Sequence, residues 1–307
     1  MKILVTGGAG FIGSNLVDAF IAAGHRVAVI DNLSSGRRTN LNPAAEFHLA
    51  DIRSSECAEI IQGFKPDVID HHAAQIDVRR SVADPGFDAG INVIGMINVI
   101  AAGVASGVGR IIFSSSGGAI YGEQSVFPAP EGHPVNPASP YGLSKKVGEM
   151  YLDWYSRAYG LRYIALRYAN VYGPRQDPLG EAGVCAIFTG RMMEGCEVTL
   201  NGDGGQTRDF VFVGDVVAAN IAALTADHRG PVNIGTGIET SVNEVFEALA
   251  AATAYPHPRK HGPGMPGEQR RSVIDPSLAQ KVLGWKAAVP FRDGIEKTVA
   301  YFKSRAK

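Results

Sequence analysis

Apolar runs alternate with helically spaced segments through the first half of the chain, and that alternation sets the fold class. Lys2-Ile3-Leu4-Val5-Thr6 is a short apolar run bounded by glycine, as a buried parallel strand requires. The turn Gly7-Gly8-Ala9-Gly10-Phe11-Ile12-Gly13 follows at once. Phe11, Leu16, Phe20 and Ile21 then recur at roughly helical spacing until Gly24 ends the helix. Residues 26–30 form the next strand, with Asp31 at its carboxyl end. Further strands are expected at 47–50, 67–71, 110–113 and 163–167, with helices at 55–64, 89–106 and 140–159. Alternating strands and helices joined by short turns predict an α/β fold with a doubly wound parallel sheet.

The opening turn carries the pattern from fold to ligand. Its glycines let the backbone turn tightly and approach a pyrophosphate, and the helix behind them offers unpaired N–H groups and a favourable dipole. A carboxylate about 20 residues further on accepts hydrogen bonds from ribose hydroxyls and repels a 2′-phosphate. This strand–turn–helix–strand–acid order therefore points to NAD rather than NADP. The plainer reading, a tight turn with Asp31 merely solvated, does not explain why the acid falls where the ribose would lie. The polar loop at 32–38 either wraps the adenosine end or is a surface turn. Asp51 is a second acid at a strand end, and Ala73-Ala74 leave room for a ligand or for tight packing.

Two later stretches add reactive groups. Ser114-Ser115-Ser116-Gly117-Gly118-Ala119-Ile120-Tyr121-Gly122 stands at the carboxyl end of a strand, where side chains of such sheets reach the ligand crevice. In Ser139-Pro140-Tyr141-Gly142-Leu143-Ser144-Lys145, Tyr141 and Lys145 are four apart on one helix face. An ammonium beside a phenol lowers a pKa that is about 10 when unperturbed, and a tyrosine so tuned exchanges protons with an alcohol. By itself the pair could equally cover a helix surface.

After Arg167 the regular alternation breaks down. Irregular segments, including Gly202-Asp203-Gly204-Gly205 and residues 256–267, separate helices expected at 184–194, 213–225, 242–252, 276–283 and 291–303. Residues 1–170 are read as a cofactor domain to which 213–234 returns, and 171–307 as a smaller C-terminal substrate-binding lobe. The 307 residues, 45% hydrophobic, suffice for a large core. A net charge of -1 suggests no nucleic-acid partner. Cys57, Cys185 and Cys196 are scattered and odd in number, favouring a reducing, cytoplasmic setting. No apolar stretch approaches the ~20 residues of a membrane span. No cysteine spacing suits a metal.

Together these motifs resemble the extended short-chain dehydrogenase/reductases, and within them the UDP-glucose 4-epimerases. The resemblance covers essentially the whole chain and rests on TGGAGFIGSN at Thr6–Asn15, HHAAQ at His71–Gln75, SPYGLSK at Ser139–Lys145, RYANVYGPRQ at Arg167–Gln176, GEAGV at Gly180–Val184 and TRDFVFVGDV at Thr207–Val216. It implies a Rossmann-like fold and NAD contacts at Gly7, Gly10, Phe11, Ile12, Gly13, Asp31, Asn32, Ser35, Gly36, Asp51, Ile52, Ala73, Ala74 and Asn92, with Tyr141 and Lys145 at the nicotinamide ribose. It places nucleotide-sugar contacts at Asn170, Val184, Arg208 and Glu268, gives Ser272 the position that limits sugar size, and implies a homodimer. Arg208 suits a diphosphate chemically, though an ion pair with Asp209 would also use it.

Two departures stand out. Counting back from Tyr121 puts Gly117 at the family's catalytic hydroxyl, whereas counting on from the strand gives Ser116. The chemistry needs a donor, so Ser116 joins Tyr141 and Lys145 as the expected catalytic set. Met265 precedes Pro266-Gly267-Glu268 where many relatives carry a phosphate-binding arginine, with Arg270 or Arg271 as substitutes. The expected activity is 4-epimerisation of a UDP-hexose through a 4-keto sugar. Dehydration or decarboxylation is the alternative, and a non-catalytic NAD sensor a further one.

Overall fold

A computed structural model describes residues 1–178, 183–265 and 269–305. Seven parallel strands form the central sheet: β1 (Lys2–Thr6), β2 (Arg26–Asp31), β3 (Glu46–Leu49), β4 (Val68–His71), β5 (Arg110–Ser116), β6 (Arg162–Tyr168) and β7 (Gly230–Ile234). Their order is β7-β6-β5-β4-β1-β2-β3, so the connections reverse direction between β1 and β4. Such a reversal opens a crevice at the carboxyl ends of the strands. Thr6 pairs with His71 and Ser116 with Tyr168 in register there.

Both sheet faces are covered, which explains the nearly continuous apolar strands. One core layer joins Ile3, Val5, Ile112, Ile164 and Val232 to α1 (Phe11–Ala22) and to the later helix Val213–Ala223. The other joins Leu4, Ile30, Ile69 and Ile111 to α2 (Ser55–Phe64), α3 (Met96–Ala105) and α4 (Pro140–Tyr159). Local chemistry sets the helix bounds. The Ser139 hydroxyl accepts from the Gly142 N–H, Pro140 stands in the first turn, and Gly160 ends α4 in a left-handed conformation.

The helix expected at 89–106 begins earlier, at Pro85, and runs through a π-helical turn at Gly90–Gly95 into α3. At 21 residues, with an 18-residue window of mean hydropathy 1.6, Pro85–Ala105 is long and apolar enough to cross a membrane by length and composition. The expectation of no such stretch is therefore corrected: the helix runs unbroken from Pro85 to Ala105. About 44% of that window is buried in the fold, against α2 and α4.

Beyond β6 the chain forms small sheets. Phe210–Phe212 pairs with Asn170–Tyr172, and Thr207–Arg208 lies between Thr240–Ser241 and Arg271–Ser272. Thr199–Asn201 pairs with Lys260–Gly262. A separate apolar core built on Phe188, Phe246, Leu249 and Val299 underlies this part.

Candidate active site

The glycine turn is shaped by contacts that exclude side chains. Gly7 has φ +71°, and a Cβ there would lie 2.7 Å from the Ala73 nitrogen. A Cβ on Gly13 would lie 2.2 Å from the Gly7 carbonyl oxygen. Gly10 caps α1 without a side-chain hydrogen bond, leaving the N–H groups of the first turn, at Phe11 and Ile12, without a side-chain cap. Asp31 is buried at the end of β2. Its carboxylate accepts from the Ala9 N–H at 3.0 Å and the Leu33 N–H at 2.8 Å, while burial pushes its pKa up.

The 32–37 loop folds back on this turn. The Arg37 N–H donates to the Ala9 carbonyl, and Gly36 packs directly on Asp31. Ser35 is exposed on the same loop. Asn32 donates to Asp51 at 3.0 Å, and Arg53 also pairs with Asp51, holding its carboxyl well below the usual range. Ile52 points into the core and Gly95 packs against it.

Across the crevice, the Ala73 N–H donates to the Thr6 hydroxyl at 3.2 Å, and Ala74 follows on the exit from β4. Asn92 is buried, its amide shared between the Gln75 backbone and the Asp88 carboxylate. Asp88 also accepts from Gln75 and, at 2.6 Å, from the Ser144 hydroxyl. Nothing in the sequence pattern singles out this hub, because a lone acid between apolar residues reads as a surface position.

The reactive groups meet at the end of β5. Ser116 ends β5 on the side of the Tyr141 phenol and lowers its pKa. Lys145 is buried and donates to the Ser114 carbonyl at 2.7 Å, with its ammonium 5.0 Å from the Phe113 ring centre and 5.8 Å from that of Tyr141. Desolvation raises the phenol to about 12, against Ser116, which lowers it, and with Asp88 adding to the rise. Desolvation likewise lowers Lys145 to about 8, opposed by Asp88. The direction at Tyr141 is opposite to that expected from a neighbouring lysine: in the protein alone, burial outweighs the distant ammonium.

Residues 3–235 match the NAD dependent epimerase/dehydratase family. The chain belongs to that family. It is 48% identical over 302 residues to a putative UDP-glucose 4-epimerase of Methanocaldococcus jannaschii, covering 98% of each chain. The crystal structure of Thermotoga maritima UDP-glucose 4-epimerase with UDP-glucose superposes with a TM-score of 0.98 at 48% identity, covering 100% of both chains. That of the Thermus thermophilus UDP-glucose 4-epimerase complex with NAD gives 0.94 at 44% identity, covering 99% of each.

As a member of the NAD dependent epimerase/dehydratase family, the protein uses NAD, and its crevice fits that cofactor. The space at Gly7 and Gly13 admits backbone but no Cβ, the α1 N-terminus lacks a side-chain cap, and the buried Asp31 carboxylate stands at the end of β2.

Residues assigned to the sugar lie on the lobe side. Asn170 places its Oδ1 3.5 Å from where a Gly118 Cβ would be, two residues beyond Ser116. Arg208 and Ser272 are register neighbours, with Ser272 only 4% exposed. Asp209 is also buried, and its carboxylate accepts from Thr236 and Gly237. Val184 is half-buried and opens the helix Val184–Met193. Glu268 and the Gly180–Ala182 part of the GEAGV motif lie outside the described residues.

Proposed function

We propose that the protein interconverts UDP-glucose and UDP-galactose by NAD-dependent 4-epimerisation, with no net redox change. The observation that carries the reading is the convergence at the crevice end of β5 of Tyr141, Lys145, whose ammonium lies 5.8 Å from the phenol ring centre, and Ser116, which lowers the phenol pKa against its burial. A cofactor sensor needs the glycine turn and Asp31 but has no use for that arrangement. Gly117 and Gly118 leave no carboxylate in the 114–122 segment, which disfavours dehydration and decarboxylation.

Bound NAD supplies the acceptor and donor for the C4 hydride, and its oxidised ring adds positive charge to the site. Tyr141 takes the proton from the sugar 4-hydroxyl and later returns it. Ser116 hydrogen-bonds the 4-oxygen and favours the ionised phenol. Lys145 holds the nicotinamide ribose and contributes charge. Gly7, Gly10, Phe11, Ile12 and Gly13 hold the pyrophosphate, and Asp31 the adenosine ribose. Asn32, Ser35, Gly36, Asp51, Ile52, Ala73, Ala74 and Asn92 shape the remaining walls. Asn170, Val184 and Arg208 hold the nucleotide sugar, so the 4-keto hexose turns over while its diphosphate stays anchored.

A homodimer completes the reading. Leu143, Met150, Tyr151, Trp154 and Tyr159 on α4 and Ile94 on the neighbouring helix leave large apolar groups exposed, supporting self-association of those faces. Three unpaired thiols support a cytoplasmic setting, and a net charge of -1 offers nothing to attract a nucleic acid. A product assay with a panel of UDP-sugars tests the activity: conversion of UDP-galactose to UDP-glucose is expected, and a 4-keto-6-deoxy product would replace epimerisation by dehydration. Light scattering should give twice the chain mass.

A further inference from the structure

A cavity of about 360 Å³ is bordered by Asp203 and Gln206 of the 201–206 turn and by Gly264, Met265 and Arg270. Its rim already holds a guanidinium–carboxylate fork. Arg270 Nη1 lies 2.7 Å from Asp203 Oδ1, and Nη2 lies 2.9 Å from Oδ2. The Asp203 carboxylate also accepts from the Gly205 N–H at 2.8 Å. The Arg270 carbonyl accepts from the Thr207 N–H, which anchors Arg270 beside the strand that carries Arg208.

Of the two adjacent arginines, only Arg270 borders the cavity. Arg271 is committed elsewhere, pairing with Glu239 and stacking 3.8 Å from the Phe127 ring centre. A guanidinium that grips a carboxylate with two parallel N–H bonds presents the same fork to a phosphate. Both partners are well exposed, 61% for the Arg270 side chain and 66% for that of Asp203. Water therefore screens the pair, and it is readily exchanged. A diphosphate brings more negative charge and more acceptor oxygens than one carboxylate.

We propose that Asp203 is a place-holder on Arg270, occupying the guanidinium until the diphosphate of the nucleotide sugar displaces it. This rests on the nucleotide-sugar reading above. The carboxylate keeps Arg270 ordered at the cavity rim, at the cost of competing with the ligand. Arg270 thereby supplies a phosphate contact in a chain that has Met265 nearby in place of a cation.

The test is calorimetric titration of the NAD-loaded protein with UDP, with thermal melts confirming that each variant is folded. Asp203→Asn should tighten UDP about two- to five-fold at low salt, the range of an exposed ion pair, and the gain should shrink as salt rises. Arg270→Gln should weaken UDP by about ten-fold or more, as expected for a lost charge-assisted contact. In the Arg270→Gln background, Asp203→Asn should add no gain. Weaker or unchanged binding by Asp203→Asn, or a gain that persists without Arg270, overturns the place-holder. A wild-type protein that binds no UDP overturns the nucleotide-sugar reading itself, whereas UDP binding indifferent to both residues overturns only this proposal.

Discussion

The Lys145 ammonium donates to the Ser114 carbonyl at 2.7 Å and stands 5.8 Å from the centre of the Tyr141 ring. The lysine therefore tethers α4 to the strand that ends in Ser116, and Tyr141 meets Ser116 across that junction. With the phenol held at about 12 in the protein alone, ionisation near neutral pH depends on charge brought into the crevice.

Loading NAD should therefore lower the pKa of one tyrosine. An ultraviolet titration of phenolate absorbance, with and without NAD, should show one group moving toward neutrality, and Tyr141→Phe should abolish that phase. The same variant should retain NAD and lose activity by about 100-fold or more, the usual scale for an acid–base group. A phase that survives in the variant assigns it to another tyrosine.

Lys145 ties stability to pH. Its folded pKa, about 8, lies below the ordinary 10.5, so between those values the unfolded chain binds more protons. The cost of burying the charge is complete below pH 8 and is relieved as pH rises toward 10.5. Lys145→Met should thus make the NAD-free protein more stable than wild type at pH 7, with the advantage fading by pH 10. Tyr141 has the opposite sign, losing its contribution only above pH 10, so urea denaturation at pH 7, 8.5 and 10 isolates the lysine. An advantage independent of pH would mean that folding does not shift the Lys145 pKa.

The first half of the fold was legible because buried parallel strands are short apolar runs and their helices carry caps. Ser55–Phe64 and Pro140–Tyr159 coincide with the helices expected there. β7 escapes the pattern because Pro231 and Asn233 interrupt its apolar residues. Asn233 is nevertheless fully buried, donating to the Ala129 and Asp275 carbonyls and accepting from Tyr121. The two- and three-residue strands of the lobe are too short for periodicity. At the site, the glycine turn, Asp31 and the Tyr141–Lys145 pair stand out in the sequence because spacing carries their chemistry, whereas spacing left Ser116 and Gly117 open and only the need for a donor selects Ser116. Asp88 and the Glu149–Arg167 pair could not, since a charge in a helix or strand says nothing about the partner that permits its burial.

That ion pair is structural and should be costly to break. Arg167 grips Glu149 with bonds of 2.8 and 2.7 Å, both side chains are at most 5% exposed, and Ser115 donates to the same carboxylate. Glu149→Ala leaves a buried guanidinium without its counter-charge, and a loss of about 3–5 kcal/mol is expected from urea denaturation. A loss under about 1 kcal/mol would mean that water reaches Arg167 once the carboxylate is gone.

Gly36 sets the adenosine side of the crevice. A Cβ there would lie 2.9 Å from both Asp31 carboxylate oxygens and from the Ala9 Cβ. Gly36→Ala should lift the 32–37 loop away from Asp31 and weaken NAD by about ten-fold or more, the cost of losing a hydrogen bond to a charged group. Fluorescence titration with NADH measures it. Unchanged affinity would place the cofactor clear of this loop.

Substrate range depends on Ser272. It is buried beside Arg208, and its side chain is far smaller than the bulky aromatic that would restrict the sugar. If the sugar's 2-substituent lies there, a 2-acetamido group fits, because excluding it needs a steric overlap that serine cannot supply. UDP-GlcNAc and UDP-GalNAc should therefore be interconverted at a rate comparable to UDP-glucose and UDP-galactose. Ser272→Tyr should cut kcat/KM for the acetamido pair by about ten-fold or more, since one group that no longer fits a pocket is worth roughly 1–3 kcal/mol. The smaller pair should retain most of its rate, which separates a narrowed pocket from a damaged one. Rejection of UDP-GlcNAc by wild type, or an unchanged preference in the tyrosine variant, would move the size limit to another residue.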